Sequence, residues 1–163
     1  MKVSIQTIPS KQLIGLNITM SIVDNKTYEL WNKFRTSQHL IKNPIGLDLY
    51  SIQVYNSPFE HFKPTSIFTK WACIEVQGID NVPELFSNFT IKGGSYAVFI
   101  HKGLASDFKK TFDYIFKEWL PESNYLLDET RAHFEVLGNK YKNNNPNSEE
   151  DVWIPILEKS IKI

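Results

Sequence analysis

Glu135 stands inside the run Phe134-Glu135-Val136-Leu137, which otherwise reads as an apolar strand. Side chains alternate faces along a strand, so this carboxylate points opposite to Phe134 and Val136. Two placements are open. On a half-exposed strand it faces water, because ionised groups avoid burial. On the floor of an aromatic pocket, desolvation raises its pKa and an incoming organic cation restores the ionised form. Trp153, between Val152 and Ile154, also points away from its neighbours, and on a strand adjoining that of Glu135 the two side chains can share one side. A cation held between them gains Coulomb attraction together with ring-face attraction of about 0.5–2 kcal/mol. Trp71, Tyr50 and Tyr114 are further candidate walls, as is Trp119, although the last lies on an apolar helix stripe and leans toward core.

Other chemistry finds little support. His39, His61, His101 and His133 are scattered, with no partner at metal-ligand spacing, and are read as surface or satisfied-core residues. The one cysteine, Cys73, can form neither an internal disulfide nor a multi-cysteine zinc site, and reads as a small buried strand residue. No P-loop, dinucleotide-binding glycine pattern, paired-histidine zinc motif or nucleophile elbow occurs, so neither a metal nor a cofactor is expected. Gly93-Gly94 enters a strand without a helix N-terminus behind it, which suits a turn or bulge better than a phosphate cradle. The 18 Lys plus Arg balance the 18 Asp plus Glu, and Lys109-Lys110 lies among Asp107 and Asp113. Nothing in this distribution gathers nucleic acid. No stretch reaches the roughly 18 apolar residues of a membrane span and no leader pattern opens the chain, so a cytoplasmic protein without membrane contact is expected.

The elements that must position these residues come in a repeated order. Val3 to Ile8 and Leu13 to Ile22 read as a strand broken at Pro9-Ser10, followed by a helix capped by Asp24 or Asn25, with Leu30, Trp31, Phe34 and Ile41 recurring near helical spacing. Strands then follow at Leu47 to Tyr55 and Phe68 to Val76. After Gly78 to Pro83 the sequence runs strand (Tyr96 to His101), a helix capped by Ser106 with Phe108, Phe112, Ile115, Phe116 and Trp119 on one face, then strands at His133 to Leu137 and Asp151 to Ile156. At 163 residues the chain is expected to be one α+β domain of two β-α-β-β halves, about 1–80 and 81–163. Their strands join in one antiparallel sheet with both helices on one side, and the cleft between the helices is the expected pocket.

The stretch Gly93-Gly94-Ser95-Tyr96-Ala97-Val98-Phe99-Ile100-His101-Lys102-Gly103, with Phe112-Asp113-Tyr114, Glu118-Trp119-Leu120-Pro121-Glu122-Ser123, Phe134-Glu135-Val136 and Asp151-Val152-Trp153-Ile154-Pro155-Ile156, closely resembles the GyrI-like small-molecule-binding family. Trp71-Ala72-Cys73-Ile74-Glu75-Val76 is similar to that family's Ala-Gly-Val-Glu-Val strand, with Cys73 where Gly is usual, so strand geometry or pocket width there is expected to differ. The resemblance implies the duplicated fold, a pocket acid at Glu135 and an aromatic wall at Trp153. It also implies a stand-alone relative of the effector-binding halves of transcription regulators, capturing lipophilic molecules that include cationic ones. Some family members open strained rings, which would make Glu135 a hydrolase's general acid or base. A protein-interaction role, or a homodimer, is the third expectation.

Overall fold

A polar strip runs down the middle of a curled antiparallel sheet, and two helices flank it on the same face. The computed structural model describes residues 1–60 and 63–160; His61 lies outside them. The strands are β1 (Val3–Ile8), β2 (Lys11–Met20), β3 (Pro44–Val54), β4 (Phe68–Val76), β5 (Ser87–Ile91), β6 (Gly94–Lys102), β7 (Tyr125–Leu127), β8 (His133–Leu137) and β9 (Glu149–Glu158). Helix α1 (Thr27–Ser37) lies between β2 and β3, and α2 (Phe108–Asp113) follows β6. The helical path of α2 continues through a π-helical stretch, Tyr114–Trp119, into a last turn, α3 (Leu120–Glu122). The order β2-α1-β3-β4 thus recurs as β6-α2-β8-β9.

Local chemistry accounts for most boundaries. Asn25 Oδ1 accepts the Thr27 N–H at 2.9 Å and satisfies one of the free donors at the start of α1. Ser106 does not cap α2: it sits inside a 3-10 turn, Ala105–Asp107, that leads directly into the helix. Lys109 and Lys117 both pair with Asp113, and Lys110 with Asp107, so these lysines form a solvated face.

Spatially the strands run β1-β6-β9-β8-β3-β4-β2-β5. Ile8 pairs with Gly94 and Lys11 with Ile91, so the register is unshifted across Pro9-Ser10 and Lys92-Gly93. β1 and β2 therefore act as one bent strand, β5 and β6 as another, and the two ends of the sheet are drawn together. At this bend Gly94 has φ 143°, and a Cβ there would collide with the Arg131 guanidinium. The glycine pair thus serves a bend, as its lack of a following helix suggests. Cys73 is fully buried opposite Gly15, where a Cβ would strike Ala72 O and the Cys73 sulfur. The space for the Cys73 side chain is provided by the glycine across the strand pair. Burial also pushes its thiol far above the ordinary value, which makes it unreactive.

Strand alternation divides the core into three. Under α1, Leu30, Phe34 and Ile41 pack on Ile14, Leu16, Ala72 and Ile74. Under the second helical segment, Ile115 packs on Ala97, Phe99, Val152 and Ile154. On the opposite, inward-curled face, Leu13, Tyr50, Ile52, Cys73, Ile91, Tyr96, Val98 and Phe134 form a third cluster. Between the two helix-covered clusters, β3 and β8 present Ser51, Gln53, His133 and Glu135 to the helix side.

Candidate functional site

The antiparallel register fixes which side chains meet Glu135. Ser51 pairs with Glu135 and Gln53 with His133 across β3 and β8, while Lys70 on β4 pairs with Gln53 from the other side. Pairing partners share a face, so these five groups lie on the helix side of the sheet. Glu135, Gln53 and His133 are only 6%, 5% and 3% exposed, whereas Lys70 is half-buried. Gln53 Nε2 donates to Glu135 Oε1 at 3.3 Å and to Ser51 Oγ at 3.2 Å. Three buried polar atoms of this patch, Glu135 Oε2, Gln53 Oε1 and His133 Nδ1, have no hydrogen-bond partner among the described residues. Each such group carries a desolvation cost of about 1–3 kcal/mol.

Aromatic rings crowd over the patch. The Phe59 ring lies 4.8 Å from His133 and 4.8 Å from Phe116, and Phe116 stacks on His133 at 5.8 Å. Tyr55 lies 5.4 Å from His133, and burial, then the nearby Glu135, push its hydroxyl pKa upward. A backbone bond from Phe59 N–H to Glu129 Oε1 at 2.8 Å ties the Tyr55–Phe59 segment down. On the α1 side, Trp31, Ile18 and Leu137 each pack against the cluster under α1, and the Arg35 guanidinium lies 5.7 Å above the Trp31 ring.

The electrostatics follow from this mixture of burial and charge. Burial raises the Glu135 carboxyl from 4.5 to about 8; Lys70 opposes the rise, Glu150 adds to it, and the Gln53 hydrogen bond opposes it. Burial likewise raises Glu150 to about 7, against the pull of Lys70. Burial lowers the Lys70 ammonium, which Glu135 and Glu150 hold up, and lowers His133 to about 4. At neutral pH the site therefore holds a protonated Glu135 and an uncharged imidazole.

The residues singled out in the sequence divide between this patch and two other places. Glu135 is on the helix side. Trp153 is not: Phe134, not Glu135, is its register partner, and the two rings stack at 5.4 Å with planes 12° apart on the inward-curled face. The sharing of one side by Glu135 and Trp153 is thereby overturned, because Glu135 pairs with Val152. Trp71 and Tyr50 are also on that opposite face, where Trp71 packs near Phe89 at 5.2 Å and the Tyr50 hydroxyl lies 3.4 Å from Glu75. That face already holds a cation, since Arg131 lies 4.7 Å above the Tyr96 ring and pairs with Asp128 at 2.7 Å. Tyr114 and Trp119, with Glu118, Glu122 and Ser123, line a separate hollow of about 200 Å³ on the second helical segment.

Missing from the sequence reading were Gln53, Lys70, Tyr55, Phe59 and Glu150, and it placed His133 with surface or satisfied-core residues. His101 does fit that description, with partners at Thr111 Oγ1 (2.7 Å) and Leu104 O (3.0 Å). His133, two residues before Glu135, shares its face by strand parity alone, a signal available in the sequence. Among the described residues no group of three His, Cys, Asp or Glu is placed to hold a metal ion, and no helix is long and apolar enough to cross a membrane.

A sequence profile of the GyrI-like small molecule binding domain matches residues 1–157. The chain belongs to the GyrI-like small-molecule-binding family. Among curated proteins it is 28% identical over 150 residues to the transcriptional regulator BrlR of Pseudomonas aeruginosa, an alignment covering 91% of this chain and 53% of BrlR. The chain thus spans about half the length of that relative. Among solved structures it is similar to SAV2435 bound to tetraphenylphosphonium, with a TM-score of 0.74 at 10% identity, covering 96% of this chain and 94% of that one. It also resembles EcmrR in an EcmrR–DNA complex, with a TM-score of 0.69 at 17% identity, covering 98% of this chain and 58% of EcmrR. At these identities the structural matches establish a shared GyrI-like fold.

Proposed function

We propose that the chain binds lipophilic cations in the cleft between its helices, with Glu135 as the charge that selects them and the rings of Tyr55, Phe59 and Phe116 as contact surface. The observation that carries this reading is a buried carboxylate with one oxygen unpartnered, among aromatic rings, in a family of small-molecule-binding domains. An apolar cation brings the charge that the buried acid lacks and loses little hydration on entering. SAV2435, whose fold this chain shares, has been seen with such a cation, tetraphenylphosphonium. Lys70 and Glu150 then tune the site: their charges leave one net negative when all three groups are ionised, which one monovalent cation neutralises.

The test is a thermal-shift and fluorescence titration with tetraphenylphosphonium and neutral aromatic compounds of similar size. A ligand that binds only the folded protein raises its melting temperature. Wild type is expected to be stabilised by the cation, and Glu135→Gln to bind it at least about tenfold more weakly, the equivalent of roughly 1.4 kcal/mol. Equal shifts in both proteins remove Glu135 from the site.

A further inference from the structure

The helix-side patch around Glu135 carries more unmet polar atoms than a bare positive charge requires. Gln53 directs its NH2 group at Glu135 Oε1 and Ser51 Oγ, which leaves its carbonyl oxygen without a donor. Once Glu135 is ionised, as a bound cation requires, its Oε2 is in the same condition two positions away on the neighbouring strand, and the His133 Nδ1 beside Gln53, a donor or an acceptor according to tautomer, is also unpartnered. These three atoms come from two adjacent strands, on one face, and are shielded from water. Lys70, whose charge acts on Glu135, makes no hydrogen bond or ion pair among the described residues, so it does not supply the missing donors.

We infer that the site is built for cations that carry N–H groups, such as protonated amines or amidines, and discriminates against quaternary ions of the same shape, with the carbonyl oxygen of Gln53 as the residue-level determinant. This rests on the proposed capture of lipophilic cations at Glu135 and names the ligand class within it. A quaternary ion satisfies the charge of Glu135 but donates to neither acceptor, and its methyl groups press carbon against both oxygens. A cation with two or more N–H groups, a primary ammonium or an amidinium, directs one at Glu135 Oε2 and another at Gln53 Oε1, forming two charge-assisted bonds in a dry setting where such bonds are strongest. The preference arises because a site with buried acceptors is penalised whenever the ligand leaves them unmet.

The experiment compares 4-phenylbutylamine, protonated at neutral pH and bearing three N–H groups, with its N,N,N-trimethylammonium derivative, by calorimetric titration of wild type, Gln53→Met and Glu135→Gln. In wild type the amine is expected to bind about tenfold or more tightly than the quaternary ion. In Gln53→Met, which keeps the side chain's length but has no carbonyl, both ions weaken through the lost support of Glu135 while the ratio between them collapses toward one. Equal binding of the two ions by wild type overturns the inference and leaves cation capture standing, and that comparison needs no variant to fold. A ratio that persists in Gln53→Met overturns the role of Gln53. Binding of neither ion, nor of tetraphenylphosphonium, overturns the parent reading instead.

Discussion

Between pH 6 and 8, the affinity of the protein for a permanently charged lipophilic cation rises by about tenfold per pH unit and levels off above 8. The sign follows from linkage. The ligand requires ionised Glu135, whereas burial, partly opposed by Lys70, holds the free protein's carboxyl protonated up to about 8. Each unit below that value means that a proton must be expelled before the charge is available, at about 1.4 kcal/mol per unit. Glu150, which titrates at about 7, faces the same groups and contributes a smaller slope in the same direction. His133, lowered to about 4, is already neutral throughout and adds none. Titrations at four or five pH values check this, and Glu135→Gln is expected to retain only the shallow dependence of Glu150. A profile that is flat in wild type, or that falls with rising pH, is incompatible with charge selection by Glu135.

The second large effect appears without ligand. A carboxyl that is raised from 4.5 when unfolded to about 8 when folded leaves stability intact below 4.5 and withdraws it as pH climbs toward 8. Replacing Glu135 by Gln removes the titrating proton while preserving size and the ability to hydrogen-bond Gln53. The variant is therefore expected to melt close to wild type at pH 5 and above it at pH 8.5, by a few kcal/mol, or roughly 5–10 °C for a chain of this length. Differential scanning calorimetry at the two pH values separates this from a general packing effect, which would displace both melting temperatures equally. His133 acts in the opposite window: its lowered pKa means that stability falls on acidification from 6.5 toward 4.

The periodicities of the sequence carried the fold a long way. The apolar stripe of α2 and the limits of β4 and β8 agree with the strands and helix read from residue pattern, because each is strongly periodic and bounded by turn residues. Single-strand parity also gave the orientation of Glu135 relative to Phe134 and Val136. Pairing register is what it could not give. Whether Glu135 faces Val152 or Trp153 on β9 is decided by a one-residue offset between strands, and that offset moves every side chain of β9, Trp153 included, to the other side. The aromatic walls read as Trp153, Trp71 and Tyr50 consequently belong to the face filled by the sheet's own core and by Arg131. Phe59 lies in an irregular connection with no periodicity to read, and Gln53 and Lys70 become site residues only through the pairings of β3 with β8 and β4.

Proton counting on binding tests the role of Glu135 most directly. Titrating tetraphenylphosphonium, which has no protons of its own to exchange, into the protein at pH 7 in buffers of different ionisation enthalpy gives the number of protons released per ligand bound. Burial holds this carboxyl largely protonated at that pH, so release of most of one proton is expected in wild type, and in Glu135→Gln only the small fraction owed to Glu150. Tight binding with no proton released from wild type would show that the cation is held without Glu135 ionising, and would contradict the account.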